Sequence, residues 1–339
     1  MYIETTLSST SWIRSFFIVI NMIDWYNKVN QFKGNASLAM LETTPLFYIA
    51  GLFYFLGEVE LYMSGTTDHR SILTKEELIL AFTQCGLARG QHIIVHAALS
   101  KLGFVVGGAE ALLRALFEIV GNEGTIMMPS QTWKNLDPST GVHWEESAEW
   151  WPIIREHWPA YDKEVTPAIG MGVAAEMLRK WPGAERSDHP ARSFAAVGGQ
   201  AKFLTQDHDL SNIFGLGSPL DKLYQLDGYI LLIGVGYDKN TSLHLAEMKA
   251  QFLGKKTAHE SSAMISDGTR KWITYETQAV DDRDFTTLGN EYDQELNIPI
   301  YKVGDAPVRL LKQRSLVDWA VSWMERNRPA SLDQKNPLP

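Results

Sequence analysis

Short apolar runs, separated by loops and by segments of helical period, set the pattern of this chain. Tyr229-Ile230-Leu231-Leu232-Ile233 is a continuous apolar stretch of strand length. Such a run predicts a strand buried on both faces between helices. Ile93-Ile94-Val95-His96 repeats it, as does Thr125-Ile126-Met127-Met128, which Pro129 ends. Between those two, residues 100–108 read as a Gly-containing loop and residues 109–120 as a helix. Strand, loop, helix, strand is a βαβ unit, which predicts a parallel pair with its helix outside the sheet. Thr74 with Glu77 three positions on forms a capping box that opens an earlier helix. Residues 257–265 and 271–280, around Asp267-Gly268, read as a hairpin. Residues 308–326, with Leu310, Leu311, Leu316, Val317 and Trp323, read as a closing amphipathic helix. The fold class expected is α/β: a three-layer domain with a mixed, largely parallel central sheet flanked by helices, plus a late β-hairpin region.

Three segments stand apart from this pattern. Residues 1–62 hold two apolar runs, 12–22 and 46–56. Each is about half of the ~20 residues a membrane-spanning helix needs. No small-residue cleavage site follows the first, so it does not read as a secretory signal. This stretch is expected to be a non-conforming extension, a translated upstream region being one origin for it. The domain proper is then 63–326, opening at Met63, and 327–339 is a polar tail. Residues 134–165 carry Trp144, Trp150, Trp151 and Trp158 among acidic residues without a clean period. A long irregular segment of that kind is either a functional flap or a helical insertion packed on the body.

Composition narrows the function classes. The chain has 339 residues, 45% hydrophobic and 21% charged, which is ordinary for a soluble globular protein. Lys+Arg 31 against Asp+Glu 40 gives a net charge of -9. That argues against a nucleic-acid partner, which needs a basic face, and weakly favours a cationic one. Cys85 is the single cysteine, so no internal disulfide framework exists and a reducing, cytoplasmic compartment fits. It ends a helical pattern and reads as a packing residue. No serine sits in the Gly-x-Ser-x-Gly turn of serine hydrolases, so nothing points to a serine acyl-enzyme.

Chemistry is concentrated at GVGYDKNTSLHLAE, residues 234–247. Gly234 and Gly236 open a loop after the apolar run 229–233, and Asn240-Thr241-Ser242 offers helix N-cap chemistry before His244. His244 therefore stands near a helix start at the carboxyl end of a sheet strand, where open α/β sheets place ligands. A lone histidine there can also be a packing residue. Glu247, three positions on, shares its helical face. H-x-x-E spacing occurs in metal-binding bundles too, but no second such pair and no Cys/His cluster accompanies it, so no metal is expected.

The segment resembles the aminoglycoside N3-acetyltransferase family, whose fold is unrelated to that of the common acetyl-CoA N-acetyltransferases. That family carries a nearly identical "nTsLHlaE" signature. Four further blocks match in order: HAALSKLGFVVGGAEALLRAL (96–116), GTIMMPSQTW (124–133), RSDHPARSFAAVGGQA (186–201) and GSPLDKLYQLDGYILLIGVG (217–236). The resemblance covers roughly residues 70–325. It implies an acetyl-CoA-dependent N-acetyltransferase acting on a cationic small-molecule amine, the 3-amino group of a deoxystreptamine aminoglycoside, with antibiotic resistance as the role. Direct transfer in a ternary complex is implied, with His244 as general base, and a homodimer is left open. A different natural-product or nucleotide amine, or a homologue that binds CoA without turnover, are the alternatives.

The resemblance also implies further site residues. In the family, acidic residues two and four positions after a late-strand aromatic complete the site; here those positions are Thr277 and Ala279. Glu276 and Asp281 are the nearest acids. Strand alternation sets them on opposite faces, and Asp281 is the expected carboxylate partner of His244. Ser100-Lys101-Leu102-Gly103 resembles the family's CoA loop, with backbone amides for the pyrophosphate and Lys101 adding charge. His189 and Ser193, in the block 186–194, are expected on the acyl-donor side, His189 as a loop-shaping or CoA-contacting residue. His96 is expected to be structural.

Overall fold

The structure, a computed structural model, describes residues 69–140 and 143–328. The extension 1–62 and residues 329–339 of the polar tail lie outside the described residues. The chain divides at His69 and Arg70, and the architecture below belongs to the unit that Arg70 opens. Its strands are β1 (Ile72–Leu73), β2 (His92–Ala97), β3 (Phe104–Val105), β4 (Thr125–Pro129), β5 (Glu185–Arg186), β6 (Phe194–Gly198), β7 (Tyr229–Ile233), β8 (Thr257–Ser266), β9 (Thr269–Gln278), β10 (Tyr301–Val303) and β11 (Ala306–Lys312). Its helices are α1 (Lys75–Gln84), α2 (Gly108–Val120), α3 (Trp151–His157), α4 (Val173–Arg179), α5 (Ala201–Thr205), α6 (Pro219–Gln225), α7 (Ser242–Lys249), α8 (Phe285–Glu295) and α9 (Gln313–Asn327).

Seven strands form the central sheet in the order β10-β11-β7-β2-β4-β6-β5. β2 lies between β7 and β4, parallel to both. Every other pairing is antiparallel. The sheet is mixed, as expected, but its parallel pairing is confined to the three central strands. β6 and β11 are each the second arm of an antiparallel pair, β5–β6 and β10–β11, and each lays that arm against an outer parallel strand in the antiparallel sense. β8 and β9 pair as a separate two-stranded hairpin in the expected register around Asp267-Gly268.

Alternation along β2 shows why both faces are covered. Ile93 and Val95 face one core, with Ile126, Met128, Leu231 and Ile233, under α1, α2 and α4. Ile94 faces the other, with Met127, Ile230 and Leu232, under α5 to α9. Period-2 alternation of wholly apolar strands can satisfy two helix layers at once. The capping box at α1 is formed: Thr74 accepts from the Glu77 amide and Glu77 from the Thr74 amide. Residues 308–312 correct the reading of a helix over 308–326. They belong to β11, with Val308 opposite Ile233 and Leu311 opposite Ile230, and the helix starts at Gln313. The apolar pair Leu310-Leu311 suits either period, and the open edge of β7 decides in favour of the strand.

Candidate active site

An open cavity of about 660 Å³ lies at the carboxyl ends of the parallel strands. Its floor is His96 and Ala97 from β2 and Met128 and Pro129 from β4, with Val235 just past β7. This is where an α/β sheet collects loops around a ligand. One wall carries Trp133, His143 and Gly170 to Gly172; another carries Asp238, Lys239, Asn240, Thr241 and His244; a third carries Val280, Asp282 and Phe285.

Gly234 turns the chain sharply after β7 with φ of 64°, and a side chain there would meet the Lys101 Cβ at 2.6 Å. A 3-10 turn, Tyr237–Lys239, follows, and the Asn240 Oδ1 then accepts the Ser242 amide. Leu243 and Leu245 are fully buried and pin α7 to the core, which turns His244 toward the cavity. The imidazole stacks on Phe214 with centroids 5.0 Å apart and 10° between planes. Phe285 flanks it at 4.8 Å. Its Nδ1 lies 2.9 Å from Glu247 Oε2. A carboxylate there selects the tautomer protonated at Nδ1 and leaves Nε2 as the acceptor.

Glu247 is buried, its side chain only 2% exposed, and both its oxygens are engaged. Oε1 accepts from the Asp281 backbone amide at 2.9 Å and from Arg328 Nη1 at 2.8 Å. Paired this way, a buried carboxylate keeps its charge without a lone desolvation penalty.

The expected partner of His244 is thereby corrected. Asp281 lies beside the pair, yet its carboxylate turns to Arg283, which binds both oxygens at 2.8 and 2.6 Å. Only the Asp281 amide reaches Glu247. Strand alternation fails here because β9 ends at Gln278, so residue 281 is in a turn and not on a regular strand. Glu276 is exposed beside His259 and takes no part. Thr277 is buried at the end of β9. The sequence signal for Glu247 was its spacing of three from His244 on one helix.

None of Ser100, Lys101, Leu102 and Gly103 lines the cavity. They form a 3-10 turn, Leu99–Leu102, closed by Gly103. Leu102 is a core residue, fully buried. Gly103, with φ of 103°, packs against the Ser71 carbonyl, which a Cβ would meet at 2.3 Å. Those two are structural, while Ser100 and Lys101 are exposed, Lys101 beside Gly234. His189 and Ser193 are fully buried and also stand off the cavity. His189 Nδ1 accepts the Arg192 amide at 3.0 Å, and Ser193 donates to the Ser130 carbonyl. Loop-shaping is thus the role the geometry gives His189. Its product is the placement of Arg192, whose guanidinium pairs with buried Glu260 and covers the Trp133 ring at 4.3 Å while lining the cavity.

His96, expected to be structural, is in the cavity floor. Burial pushes its imidazole down to about 3, so it is neutral. The described part of the tryptophan-rich stretch is bonded to itself and to the hairpin, and His143 is its one described residue in the cavity lining. Arg155 binds Asp137 through two nitrogens, the Trp158 indole donates to Asn135, and Arg270 of β9 holds the Trp158 and Arg155 carbonyls. No helix among the described residues is long and apolar enough to cross a membrane.

Comparison with known proteins agrees with this geometry. The sequence profile described as aminoglycoside 3-N-acetyltransferase matches residues 94–325. The SPbeta prophage-derived aminoglycoside N(3')-acetyltransferase-like protein YokD of Bacillus subtilis (strain 168) is 38% identical over 266 residues, 78% of this chain and 94% of that protein. Its crystal structure superposes with a TM-score of 0.71 at 37% identity, covering 75% of this chain and all of that one. Aminoglycoside N(3)-acetyltransferase III of Pseudomonas aeruginosa is 33% identical over 264 residues, 76% of this chain and 96% of that protein. A structure of AAC-IIIb in binary complex with CoASH matches at a TM-score of 0.68 and 30% identity, covering 79% of this chain and all of that one. The profile spans well over half of the chain and the relatives are matched over nearly their whole length, so the chain belongs to the aminoglycoside 3-N-acetyltransferase family.

Proposed function

We propose that this acyltransferase moves an acetyl group from acetyl-CoA to the 3-amino group of an aminoglycoside, by direct transfer within a ternary complex, and thereby confers resistance. The observation that carries the reading is the His244–Glu247 pair, held at 2.9 Å in the wall of the cavity. An amine must lose a proton as its nitrogen attacks the thioester. His244 Nε2 takes that proton, and the imidazolium that forms is stabilised by Glu247 through Nδ1–H. As the C–S bond breaks, CoA leaves as a thiolate that takes the proton back from the imidazolium or from water. Phe214 and Phe285 fix the ring plane, so proton transfer needs no reorientation of the base.

The cavity walls support a cationic acceptor. Asp282 is exposed at the rim and its carboxylate makes no hydrogen bond or ion pair among the described residues, which leaves it for a substrate ammonium. Asn240 Nδ2 is buried at the wall with no protein partner, and an acyl oxygen seated there would satisfy it. Ser100 and Lys101, both exposed, are assigned to the CoA phosphates. Arg192 and Lys239 line the cavity together with Asp238 and Asp282. That balance of charge favours, as a second reading, an acceptor with fewer amines than an aminoglycoside.

The test is acetyl-CoA consumption with a panel of deoxystreptamine aminoglycosides, with the acetylated nitrogen located by NMR, beside His244→Ala. Loss of a general base costs about a hundred- to ten-thousand-fold in turnover, and CoA affinity is expected to hold. Full turnover in the variant removes His244 from the mechanism, and no aminoglycoside turnover in the wild type moves the reading to the second acceptor class.

A further inference from the structure

Arg328 corrects the boundary of the polar tail. It caps α9 beyond the span of the family profile, and its side chain is only 4% exposed. Its guanidinium donates to Glu247, Asp284 and Asp281 among the described residues. Nη1 reaches Glu247 Oε1 at 2.8 Å, Nε and Nη2 reach Asp284 at 2.8 and 2.6 Å, and Nη2 reaches the Asp281 carbonyl at 2.9 Å. Phe252 and Phe285 cover it on their ring faces at 5.3 and 5.9 Å, and Phe285 is the same ring that flanks His244.

We infer that Arg328 is a positioning residue that sets the base strength of His244 through Glu247. The inference rests on the reading of His244 as the base. Glu247 has two oxygens with two tasks: Oε2 faces the imidazole and Oε1 faces the guanidinium. A buried carboxylate that faced the imidazole alone would stabilise the imidazolium strongly and leave the base protonated when the amine arrives. A guanidinium on the far oxygen withdraws part of that field while keeping the carboxylate ionised and its rotamer fixed. Asp284 in turn takes part of the Arg328 charge, so the setting depends on a chain of four groups, His244, Glu247, Arg328 and Asp284.

Other charged groups face this assembly, and none sits on Glu247 Oε1. Asp281 is occupied by Arg283, both on the turn before α8. Around the cavity stand Asp238 paired with Lys239 on the wall of His244 itself, Arg192 paired with Glu260, neutral His96, and Asp282 at the rim. Lys255, after α7, donates to the Met248 carbonyl near Glu247. Arg328 is the cation bonded directly to the carboxylate that holds the imidazole.

The experiment uses the full chain and two variants whose effects have opposite sign. Arg328→Gln removes the withdrawing charge, so the acidic limb of the kcat/KM profile moves up by about one pH unit. Asp284→Asn leaves Arg328 more fully to Glu247, so the limb moves down. Arg328→Lys keeps the charge and returns the limb toward wild type. A second readout is independent of turnover: NMR of histidine-labelled protein, with the His244 signal assigned against His244→Gln and followed through the same pH range. The His244 titration is expected to shift with the limb, in the same order. If it is unmoved in both charge-removing variants, Arg328 is only a structural clamp and the inference falls. If it moves while the rate limb does not follow, the Arg328 setting stands and the general-base reading falls. Should Arg328→Gln fail to fold in a thermal melt, Asp284→Asn decides alone through the sign of its shift.

Discussion

Two carboxylates near His244 differ in what their side chains touch, and this separates their effects. Glu247 Oε2 holds the imidazole at 2.9 Å, while the Asp281 carboxylate holds Arg283 and lends the site only its backbone amide. Glu247→Gln keeps the shape but removes the charge that stabilises the imidazolium, so kcat is expected to fall by at least tenfold with KM changed little. Asp281→Asn preserves the amide and is expected to keep kcat within about twofold. Steady-state kinetics on the pair checks this, and a sharp loss in Asp281→Asn with none in Glu247→Gln would reverse the assignment. Glu247 was legible as a spacing in the sequence; its role was not, because three residues on a helix fix a shared face but not which oxygen meets which nitrogen.

At the scale of elements, the 3-10 turn Leu99–Leu102 shows one short motif split between two tasks. Leu102 is in the core and Gly103 permits the close pass of Ser71, whereas Lys101 stays exposed where it can meet a phosphate. Lys101→Ala is expected to weaken CoA binding several-fold at low salt and hardly at all at high salt, since an exposed charge is screened over about 8–10 Å under physiological conditions. Calorimetric titration of CoA at two ionic strengths measures it. Unchanged affinity at both would detach this turn from the CoA phosphates. The tryptophan-rich stretch shows the opposite case, in which an irregular sequence is ordered by partners within the stretch itself. The indoles of Trp144, Trp151 and Trp158 and the Asp137–Arg155 pair find them there, while Arg270 of β9 ties the stretch to the hairpin.

The whole molecule stores a pH dependence in its buried histidines. His96 is pushed down to about 3 and His208 to about 4, while His189 lies well below its usual value, in each case chiefly by burial. The folded state therefore refuses protons that the unfolded chain accepts from its ordinary value of 6.5 downward. Stability from this source is full above that value and is lost as pH falls toward the folded values. Each histidine contributes a slope of about 1.4 kcal/mol per pH unit in that window, roughly 4 for the three together. Asp137 is lowered to about 2 chiefly by Arg155. The burial of Glu176 is outweighed by Arg179, Lys180 and the Ala168 amide together, so that it too falls to about 2. Both add their loss only at more acid pH. Thermal melts between pH 7.5 and 4.5 are expected to show Tm falling steadily before the carboxylates titrate. A flat Tm over that range would mean that the three imidazoles are not buried as neutral groups.

The sequence by itself determined what depends on neighbours along the chain. The apolar run 229–233 could satisfy nothing but a strand between two helix layers, and Thr74 with Glu77 closed its capping box with residues three apart. The order of motifs also identified the family and singled out His244 as the candidate base, because His244 lies on the same short segment as the strand and loop that position it. Tertiary structure decided what depends on partners far away. Residues 308–312 became a strand because β7 offered an open edge, not because their own period demanded it. Asp281 lost its expected role to Glu247 once β9 ended at Gln278 and Arg283 took its carboxylate. Arg328, in what reads as a polar tail, entered the site from 81 residues beyond Glu247. A long polar side chain carries no periodic signal, and burial of its charge is affordable only where the fold supplies several acceptors at once.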